Sequence, residues 1–495
     1  MNTADYLLAT GQDQNIALIT DKTQCTFLDV REASARLAGE LSAHGVGPFD
    51  RVGILGNNSL FWIAAYLATM KLGAVAVPFA TTLMPDEVSA MEHFAQCKVM
   101  YVERRVHRRF AAALSEDLLI FDDVLNQPGP AMWPSTPDTD VHQDAALMFT
   151  SGTTARPRAV RVTHRNIQAN TDSIIAYLGL TSVERILSVL PFYYCFGTSL
   201  LHTHLRVGGS LALCNTFAYP ETALDMMEKA ECTGFAGVPS TYQTLLRNSS
   251  FPKRNIRTLR KVQQAGGKLP VVLIQELMAA LPNAEIYIMY GQTEATARLS
   301  YLPPALLETK LGSIGKGIPG VELRVMGESG NDVKPGEVGE IVARGDNICP
   351  GYLNDPEENA RKFVDGALRT GDLATVDEDG FIYVVDRQSD FIKSYGYRVS
   401  SQQVEACVLE LQDIVAAAAI GEPDMVRGEA IKVFAVLRSG SKLTTDEIIA
   451  YCTQRMARHM VPKDVVFIER LPMNAHGKIV KAELKKLADQ PTSFA

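Results

Sequence analysis

Short apolar runs alternate with amphipathic stretches along most of the chain. The pattern predicts a helix at about 61–72, and it predicts strands at 51–56, 75–78, 186–190, 210–213 and 285–290. Alternation of this kind is typical of layered α/β folds in which most strands run parallel. We therefore expect a large N-terminal α/β domain built from layered subdomains.

The pattern changes after residue 320. Strands are predicted at 321–325 and 340–343, and the sequence Asp377–Gly380 between apolar runs indicates a hairpin turn. Gly, Pro and Asp punctuate this region, so we expect a small β-rich subdomain within the N-terminal domain.

The last hundred residues predict a separate α+β unit. Capping-box spacing at Ser400 and Gln403, and again at Thr444 and Glu447, indicates two helix starts. Strands are predicted between them, at 415–420 and 431–437. We place a boundary near 386–390, so that residues 1–386 form the large domain and residues 387–495 form a small, mobile C-terminal domain.

Composition excludes several classes of protein. A net charge of −8 over 495 residues argues against nucleic-acid binding, and 46% hydrophobic residues fit a folded domain. The eight cysteines form no C-x-x-C pair, as expected for reduced thiols. No signal peptide is indicated, and no apolar run reaches the roughly 20 residues that span a bilayer. We expect a cytoplasmic protein without a membrane span.

A cluster of hydroxyl side chains predicts a phosphate site. The sequence from Thr150 to Arg158 follows the apolar run 145–149, and Thr163 marks a helix start shortly after it. Backbone N–H groups and short hydroxyl side chains bind anionic oxygens, and arginine supplies countercharge. We expect a strand, a phosphate-binding loop and a helix in that order, although a solvated loop is the plainer interpretation of these residues in isolation.

Further polar clusters follow along the chain. Tyr290–Glu294 ends an apolar strand, where ligands of open α/β sheets bind, and a carboxylate there suits Mg²⁺. Asp372 lies in a turn that suits ribose hydroxyls. Dense charge between 386 and 398 suggests a hinge that faces a polar ligand, and Lys478 lies in a Gly-flanked loop. Taken singly, each cluster has a plainer interpretation as a turn, a linker or an exposed lysine.

Together these clusters make the chain resemble the superfamily of AMP-forming adenylating enzymes. That superfamily includes acyl- and aryl-CoA synthetases, adenylation domains of peptide synthetases, and luciferases. Four motifs occur in the family's order, namely TSGTT, YGQTE, RTGDL followed by DRQSDFIKSYGYR, and NAHGK. The resemblance covers nearly the whole chain and is closest in pattern to acyl- or aryl-CoA ligases.

The resemblance implies a role for each matching residue. It implies ATP or AMP binding by Thr150, Ser151, Gly152, Thr153, Thr154, Arg158, Gly266, Gly267, Tyr290, Gly291, Asp372, Arg387 and Arg398. It also implies four catalytic residues, of which Glu294 is in addition the magnesium ligand: Lys478, Thr293, Glu294 and Lys393. The family's hinge position is held by Ser389, where Asp or Lys is more usual.

The acyl pocket is expected between two segments. In the family the first segment lines the pocket, and here it contains Phe192, Tyr193 and Tyr194. Gly237 and Ser240 lie in the second segment. The first segment lacks the Asp that binds the α-ammonium of amino acids in related domains, so a fatty, aryl or other non-amino carboxylic acid is expected.

The resemblance implies ATP-dependent formation of an acyl-adenylate, with Mg²⁺ and release of pyrophosphate, followed by transfer to CoA. Two alternatives remain open at this stage. One is a stand-alone enzyme that loads the phosphopantetheine of an acyl or peptidyl carrier protein. The other is a catalytically impaired nucleotide- or adenylate-binding protein, because Ala155, Arg158 and Ala159 replace the usual Gly, Lys and Gly. A homodimer is compatible with the sequence.

Overall fold

The computed structural model describes residues 1–127, 132–135, 137, 139–150, 158–387, 391–474 and 479–488, apart from the side chains of Glu116 and Arg387. In these ranges the α-helices are α1 (Thr3–Leu8), α2 (Phe27–Ala43), α3 (Leu60–Lys71), α4 (Pro85–Ala95), α5 (Arg104–Phe110), α6 (His164–Leu178), α7 (Cys195–Val207), α8 (Pro220–Lys229), α9 (Pro239–Arg247), α10 (Val271–Ala280), α11 (Pro356–Lys362), α12 (Ser401–Leu409), α13 (Thr445–Arg455) and α14 (Lys481–Ala488).

Four sheets contain the strands of the described residues. In chain order the strands are β1 (Ile16–Ile19), β2 (Gln24–Thr26), β3 (Arg51–Leu55), β4 (Val75–Phe79), β5 (Val99–Val102), β6 (Leu119–Phe121), β7 (Asp144–Thr150), β8 (Arg158–Thr163), β9 (Arg185–Ser188), β10 (Ser210–Leu213), β11 (Gly234–Gly237), β12 (Lys261–Gln264), β13 (Glu285–Tyr290), β14 (Ser300–Leu302), β15 (Lys316–Gly317), β16 (Val321–Met326), β17 (Gly339–Gly345), β18 (Gly351–Tyr352), β19 (Phe363–Val364), β20 (Ala367–Val376), β21 (Ile382–Arg387), β22 (Phe391–Ser394), β23 (Tyr397–Ser400), β24 (Ile414–Asp424), β25 (Gly428–Leu437) and β26 (Asp464–Phe467).

Two mainly parallel sheets form the large body. The first has the strand order β15-β14-β13-β12-β11-β9-β10-β1-β2, and the second has the order β18-β8-β7-β4-β3-β5-β6. One hydrophobic core joins them, because Leu18 and Leu211 of the first sheet and Val52 and Ala76 of the second belong to the same cluster as Trp62 of α3. The helix α3 is buried along almost its whole length, as expected for a helix that is apolar on every side.

The two remaining sheets are smaller. In the third, β16-β17-β20-β19 run antiparallel and β21 pairs with β20, with the turn at Asp377–Gly380 between β20 and β21. The fourth has the order β23-β22-β25-β24 with β26 beside β25, and α12 and α13 contribute to its own core. The large α/β domain, the β-rich subdomain and the small α+β unit agree with the predicted fold class.

The phosphate-loop region differs from the prediction in one respect. A strand was not expected after the loop, yet β8 pairs antiparallel with β7 from Asp144↔Thr163 to Thr150↔Arg158. The loop therefore connects a hairpin, and α6 begins only after β8. Thr163 caps α6 as predicted, because its hydroxyl accepts from the N–H of Asn166 while the Asn166 side chain accepts from the N–H of Thr163.

The capping box expected at Ser400 is wrong. The helix α12 does begin after Ser400, but its hydroxyl makes no cap hydrogen bond and donates instead to Asp386 Oδ2 at 2.8 Å. Asp386 is fully buried, so a donor to its carboxylate stabilises more than a cap to a backbone N–H. The second expected capping box, at Thr444 and Glu447, is confirmed. No helix in the described ranges is both long and apolar enough to cross a bilayer.

Candidate active site

The carboxyl end of β13 forms one side of the site. Tyr290 is the last residue of this strand, and Gly291 follows where the chain turns back against itself. A Cβ at Gly291 would lie 1.9 Å from the carbonyl oxygen of Ala297, so no larger residue fits without moving the backbone. A short 3₁₀ turn, Thr293–Ala295, then places Thr293 and Glu294 directly beyond the strand end.

A hydrogen bond connects this strand end to the β-rich subdomain. The Tyr290 hydroxyl donates to Asp372 Oδ2 at 2.6 Å. Asp372 lies on β20, where it is only 7% exposed and pairs in register with Arg387 of β21. The side chain of Arg387 lies outside the described part of the structure. Asp372 can accept hydrogen bonds from the hydroxyls of a ribose that lies between the two elements.

A cavity lies at the same strand end, beside the Tyr290–Asp372 hydrogen bond. Its lining includes Gly266, Gly267, Tyr290, Gly291, Asp372 and Gln402. Gly266 has φ +87°, and a Cβ there would lie 2.8 Å from Val238 Cγ1, so glycine is needed both for the backbone conformation and for space. The structure thus brings together predicted nucleotide residues from three separate segments and adds Gln402 from α12.

Glu294 is a nearly buried carboxylate beside a tyrosine hydroxyl. The hydroxyl of Tyr352 on β18 donates to Glu294 Oε1 at 2.6 Å, and Glu294 is 8% exposed. Burial and the Glu294 charge together raise the pKa of Tyr352 well above its usual value, so this hydroxyl stays a donor. One carboxylate with a fixed orientation suits Mg²⁺, which binds proteins through one or two carboxylates and completes its shell with phosphate oxygens and water.

Thr293 lies against the start of α7. Its hydroxyl is 3.5 Å from the thiol sulfur of Cys195, the first residue of that helix, and its carbonyl accepts from the thiol of Cys349 at 3.5 Å. Burial raises the pKa of the Cys349 thiol to about 12. This thiol is therefore protonated at neutral pH and packs as a small neutral side chain.

The residues expected in the acyl pocket lie next to Thr293. Tyr193 and Tyr194 precede α7 and are each 8% exposed. The Tyr194 hydroxyl would lie 3.2 Å from a Cβ at Gly266, so Tyr194 reaches the nucleotide cavity. Phe192 is fully buried, and its ring centre is 5.4 Å from that of Trp62, so it packs into the core.

The second segment that is expected to line the acyl pocket lies where β11 ends and α9 begins. Gly237 ends β11, and a Cβ there would lie 2.9 Å from Thr241 Cγ2. Ser240 lies in the first turn of α9, where its carbonyl accepts from the hydroxyl of Thr244 at 2.9 Å. The close packing at Gly237 brings this turn against the strand end.

The phosphate loop is described only at its two ends. Thr150 ends β7 opposite Arg158 of β8, and residues 151–157 between them, which include Ser151, Gly152, Thr153 and Thr154, lie outside the described residues. Arg158 lies close to two carboxylates. Its guanidinium nitrogens lie 3.5 Å from Asp355 Oδ2 and 3.4 Å from Glu358 Oε1.

The predicted residues of the C-terminal unit occupy an antiparallel pair of strands. Lys393 of β22 and Arg398 of β23 are partners in register, and both are exposed. The backbone N–H of Lys393 donates to Glu429 Oε2. The predicted hinge Ser389 and the predicted catalytic Lys478 lie outside the described residues.

Three residues near the site were not predicted from the sequence. Tyr352 orients Glu294, Gln402 lines the nucleotide cavity, and Arg298 lies buried just after the 3₁₀ turn. Each lies far from its partner in the chain or outside the quoted motifs, so spacing gave no signal. The arrangement as a whole gathers predicted nucleotide residues around one cavity, which Tyr194 of the expected acyl-pocket segment also approaches.

Comparison with known proteins places the chain in a family. Residues 8–353 match the model of the AMP-binding enzyme family, and residues 403–478 match the AMP-binding enzyme C-terminal domain. A feruloyl-CoA synthase from Amycolatopsis sp is 33% identical over 475 residues, which cover 94% of each chain.

Solved structures agree with this assignment. The crystal structure of an anthranilate CoA ligase in complex with anthranoyl-AMP superposes with a TM-score of 0.92 at 25% identity, over 99% of this chain and 97% of that one. An O-succinylbenzoate coenzyme A synthetase from Bacillus subtilis, in complex with ATP and magnesium ion, superposes with a TM-score of 0.86 at 28% identity, over 98% and 99%. The chain belongs to the AMP-binding enzyme family, and it is an AMP-forming acid–thiol ligase.

Proposed function

We propose that this site converts a non-amino carboxylic acid and ATP into an acyl-adenylate and pyrophosphate, and then transfers the acyl group to CoA. The observation that carries the proposal is the Tyr290–Asp372 hydrogen bond at the cavity, with Thr293 and Glu294 in the 3₁₀ turn that follows the same strand end. A nucleotide bound against that pair would have its α-phosphate at the 3₁₀ turn, beside the start of α7.

The nucleotide would be held at several points. Gly266 and Gly267 let the backbone approach the adenine, and Asp372 accepts from the ribose. Thr293 donates to the α-phosphate. The hydroxyls of residues 150–154 are proposed to hold the β- and γ-phosphates, with Arg158 as nearby countercharge, although Asp355 and Glu358 already neutralise part of that charge.

Adenylation requires one anion to attack another. A carboxylate oxygen of the acid forms a bond to the α-phosphorus, and the bond from that phosphorus to the pyrophosphate oxygen breaks. Magnesium, when bound by Glu294, supplies positive charge to the phosphates. The residues of the chain contribute position and hydrogen bonds rather than a covalent bond, and Lys478 is proposed to bridge the acid carboxylate and the α-phosphate.

The first turn of α7 bears on the class of acid. This helix starts at Cys195 and has no acidic residue in its first turn. An α-ammonium group in the pocket would therefore lack an anion there, which would leave a desolvated cation without a partner. The relatives named above act on feruloyl, anthranilate and O-succinylbenzoate acyl groups, so aromatic acids are the first class to test on this chain.

The second half of the reaction needs a thiol. The thiolate sulfur attacks the acyl carbonyl carbon, and AMP leaves with the electron pair of the acyl–phosphate bond. We propose that residues 1–386 and 387–495 move relative to each other about Ser389 between the two half-reactions. Lys393 and Arg398, which are exposed on β22 and β23, would then face the adenylate.

The acceptor can be tested directly. The purified protein is given ATP, Mg²⁺ and a panel of aryl, arylalkanoic and fatty acids, with either CoA or a holo acyl carrier protein, and thioesters are measured by mass spectrometry. We expect acyl-CoA with at least one aromatic acid. Product on the carrier protein only would overturn the assignment of CoA, and thioester with neither acceptor would overturn the ligase activity itself.

A further inference from the structure

Arg298 is a buried cation that has no anionic partner among the described residues. Its residue is 1% exposed, and Nε and Nη2 have no hydrogen-bond partner within the described residues. In that part of the chain no carboxylate oxygen lies within 4.0 Å of its guanidinium nitrogens. A buried charge of this kind is costly, so it needs an explanation beyond packing.

The guanidinium lies beside the start of α7, directly after the segment that is expected to line the acyl pocket. Its central carbon is 4.0 Å from the ring centre of Phe196, in the first turn of α7. The preceding residue, Cys195, has its sulfur 3.5 Å from the Thr293 hydroxyl, where the α-phosphate is proposed to bind. An acid activated at Thr293 therefore extends along the same turn of α7 that Arg298 covers.

The backbone of Arg298 is held in place by two side-chain amides. Its carbonyl accepts from Asn347 Nδ2 at 2.8 Å and from Asn170 Nδ2 at 3.1 Å. Burial raises the pKa of the Tyr177 hydroxyl to about 12, although the neighbouring Arg298 guanidinium acts in the opposite direction and lowers it. The guanidinium carbon lies over the Phe196 ring, but a ring does not replace the acceptors that the guanidinium N–H groups require.

A second unsatisfied polar group lies in the same layer. Gln263 of β12 is 2% exposed, and its Oε1 has no hydrogen-bond partner in the described residues. It pairs in register with Ala236 and Tyr287, and the Tyr287 ring centre is 6.4 Å from that of Tyr177. The layer between the nine-stranded sheet and the helices α6 and α7 thus contains unsatisfied hydrogen-bonding groups where a wholly apolar acyl chain would need none.

We propose that Arg298 determines substrate specificity by binding a second carboxylate group of the acid, distant from the carboxylate that is adenylated. The proposal rests on the ligase function argued above and narrows its substrate to a dicarboxylic acid. A planar carboxylate can accept two parallel hydrogen bonds from the edge of a guanidinium, which neutralises the buried charge.

Paired acids test this proposal. Each pair consists of an aromatic or aliphatic dicarboxylic acid and its monomethyl ester, which has the same skeleton but a neutral second group. The measurement is kcat/KM for acid-dependent ATP–pyrophosphate exchange. We expect the wild-type protein to prefer at least one diacid over its monoester by tenfold or more. A preference for the monoester in every active pair would overturn the proposal, whereas absence of exchange with all acids would instead overturn the ligase function.

Variants separate specificity from a purely structural role. Arg298→Met should lower kcat/KM for the preferred diacid at least tenfold while leaving the value for the monoester equal or higher, and Arg298→Lys should retain part of the preference. Equal losses for both members of a pair would show that Arg298 is only structural. The dissociation constant of ATP serves as the folding control, and if Arg298→Met does not bind ATP, Arg298→Lys and the wild-type pairs decide the question.

Discussion

At the scale of single residues, the site depends on pairs that are distant in the chain. Tyr290 and Asp372 are 82 residues apart, and the hydrogen bond between them is partly buried at the cavity. In the sequence each was a motif residue at the end of a strand or in a turn, so their placement near a nucleotide was predictable. The contact itself was not, because it depends on how β20 packs against β13.

Removal of the Tyr290 hydroxyl tests this contact. Tyr290→Phe keeps the ring but leaves the nearly buried Asp372 without this donor, so the carboxylate is less well placed for a ribose. A hydrogen bond to a charged group contributes about 1.5 to 3 kcal/mol, so we expect ATP to bind roughly tenfold or more weakly by calorimetric titration. Tyr287→Phe on the same strand removes a hydroxyl that lies 3.3 Å from Glu285, and it should leave ATP affinity unchanged. Equal affinity in wild type and Tyr290→Phe would contradict the assigned role.

At the scale of elements, local signals succeeded where no distant group competed. The turn at Asp377–Gly380 and the caps at Thr163 and Thr444 formed as predicted, since their hydrogen bonds are made within a few residues. The capping box predicted at Ser400 did not form, because the Ser400 hydroxyl donates to the Asp386 carboxylate instead. The correct partner became visible only once β21 and α12 lay side by side.

The strand β8 was not predicted from the sequence, for a similar reason. Its residues Arg158–Thr163 follow a loop rich in hydroxyl groups, and the cap signal at Thr163 suggested that a helix comes directly after that loop. Pairing with β7 on one side and β18 on the other decides the conformation of this segment. Because β18 begins at Gly351, almost two hundred residues away, no local window could show that pairing.

At the scale of the whole molecule, Arg247 joins the C-terminal unit to the large body. Its side chain is 1% exposed and forms an ion pair with Glu276 of α10 at 2.6 Å. It also donates to the carbonyl of Leu409 at 2.8 Å, and to those of Leu411 and Ile414. Leu409 ends α12, and Leu411 and Ile414 lie between that end and the start of β24. The helix α12 also supplies Gln402 to the cavity. Contact between the small unit and the large body therefore accompanies the placement of Gln402 at the cavity.

Arg247→Met should weaken this docking. It removes one partner of a buried ion pair together with the Arg247 hydrogen bonds to three carbonyls, a change that costs about 3 kcal/mol. We expect lower unfolding free energy in denaturant titrations and weaker ATP binding. Arg254→Met is the matched control, because Arg254 pairs with Glu221 inside the large body, at 2.7 Å. If Arg254→Met weakens ATP binding as much as Arg247→Met, the effect is not one of docking.

The central claim is that the chain activates carboxylic acids as adenylates with help from Lys478. Carboxylate-dependent exchange of labelled pyrophosphate into ATP measures that step directly, in wild type and in Lys478→Ala. We expect exchange in the wild type with at least one acid, and a loss of a hundredfold or more in Lys478→Ala, while both proteins bind ATP with similar affinity. Undiminished exchange in Lys478→Ala would contradict the role of Lys478, and absence of exchange with every acid in the wild type would contradict the account as a whole.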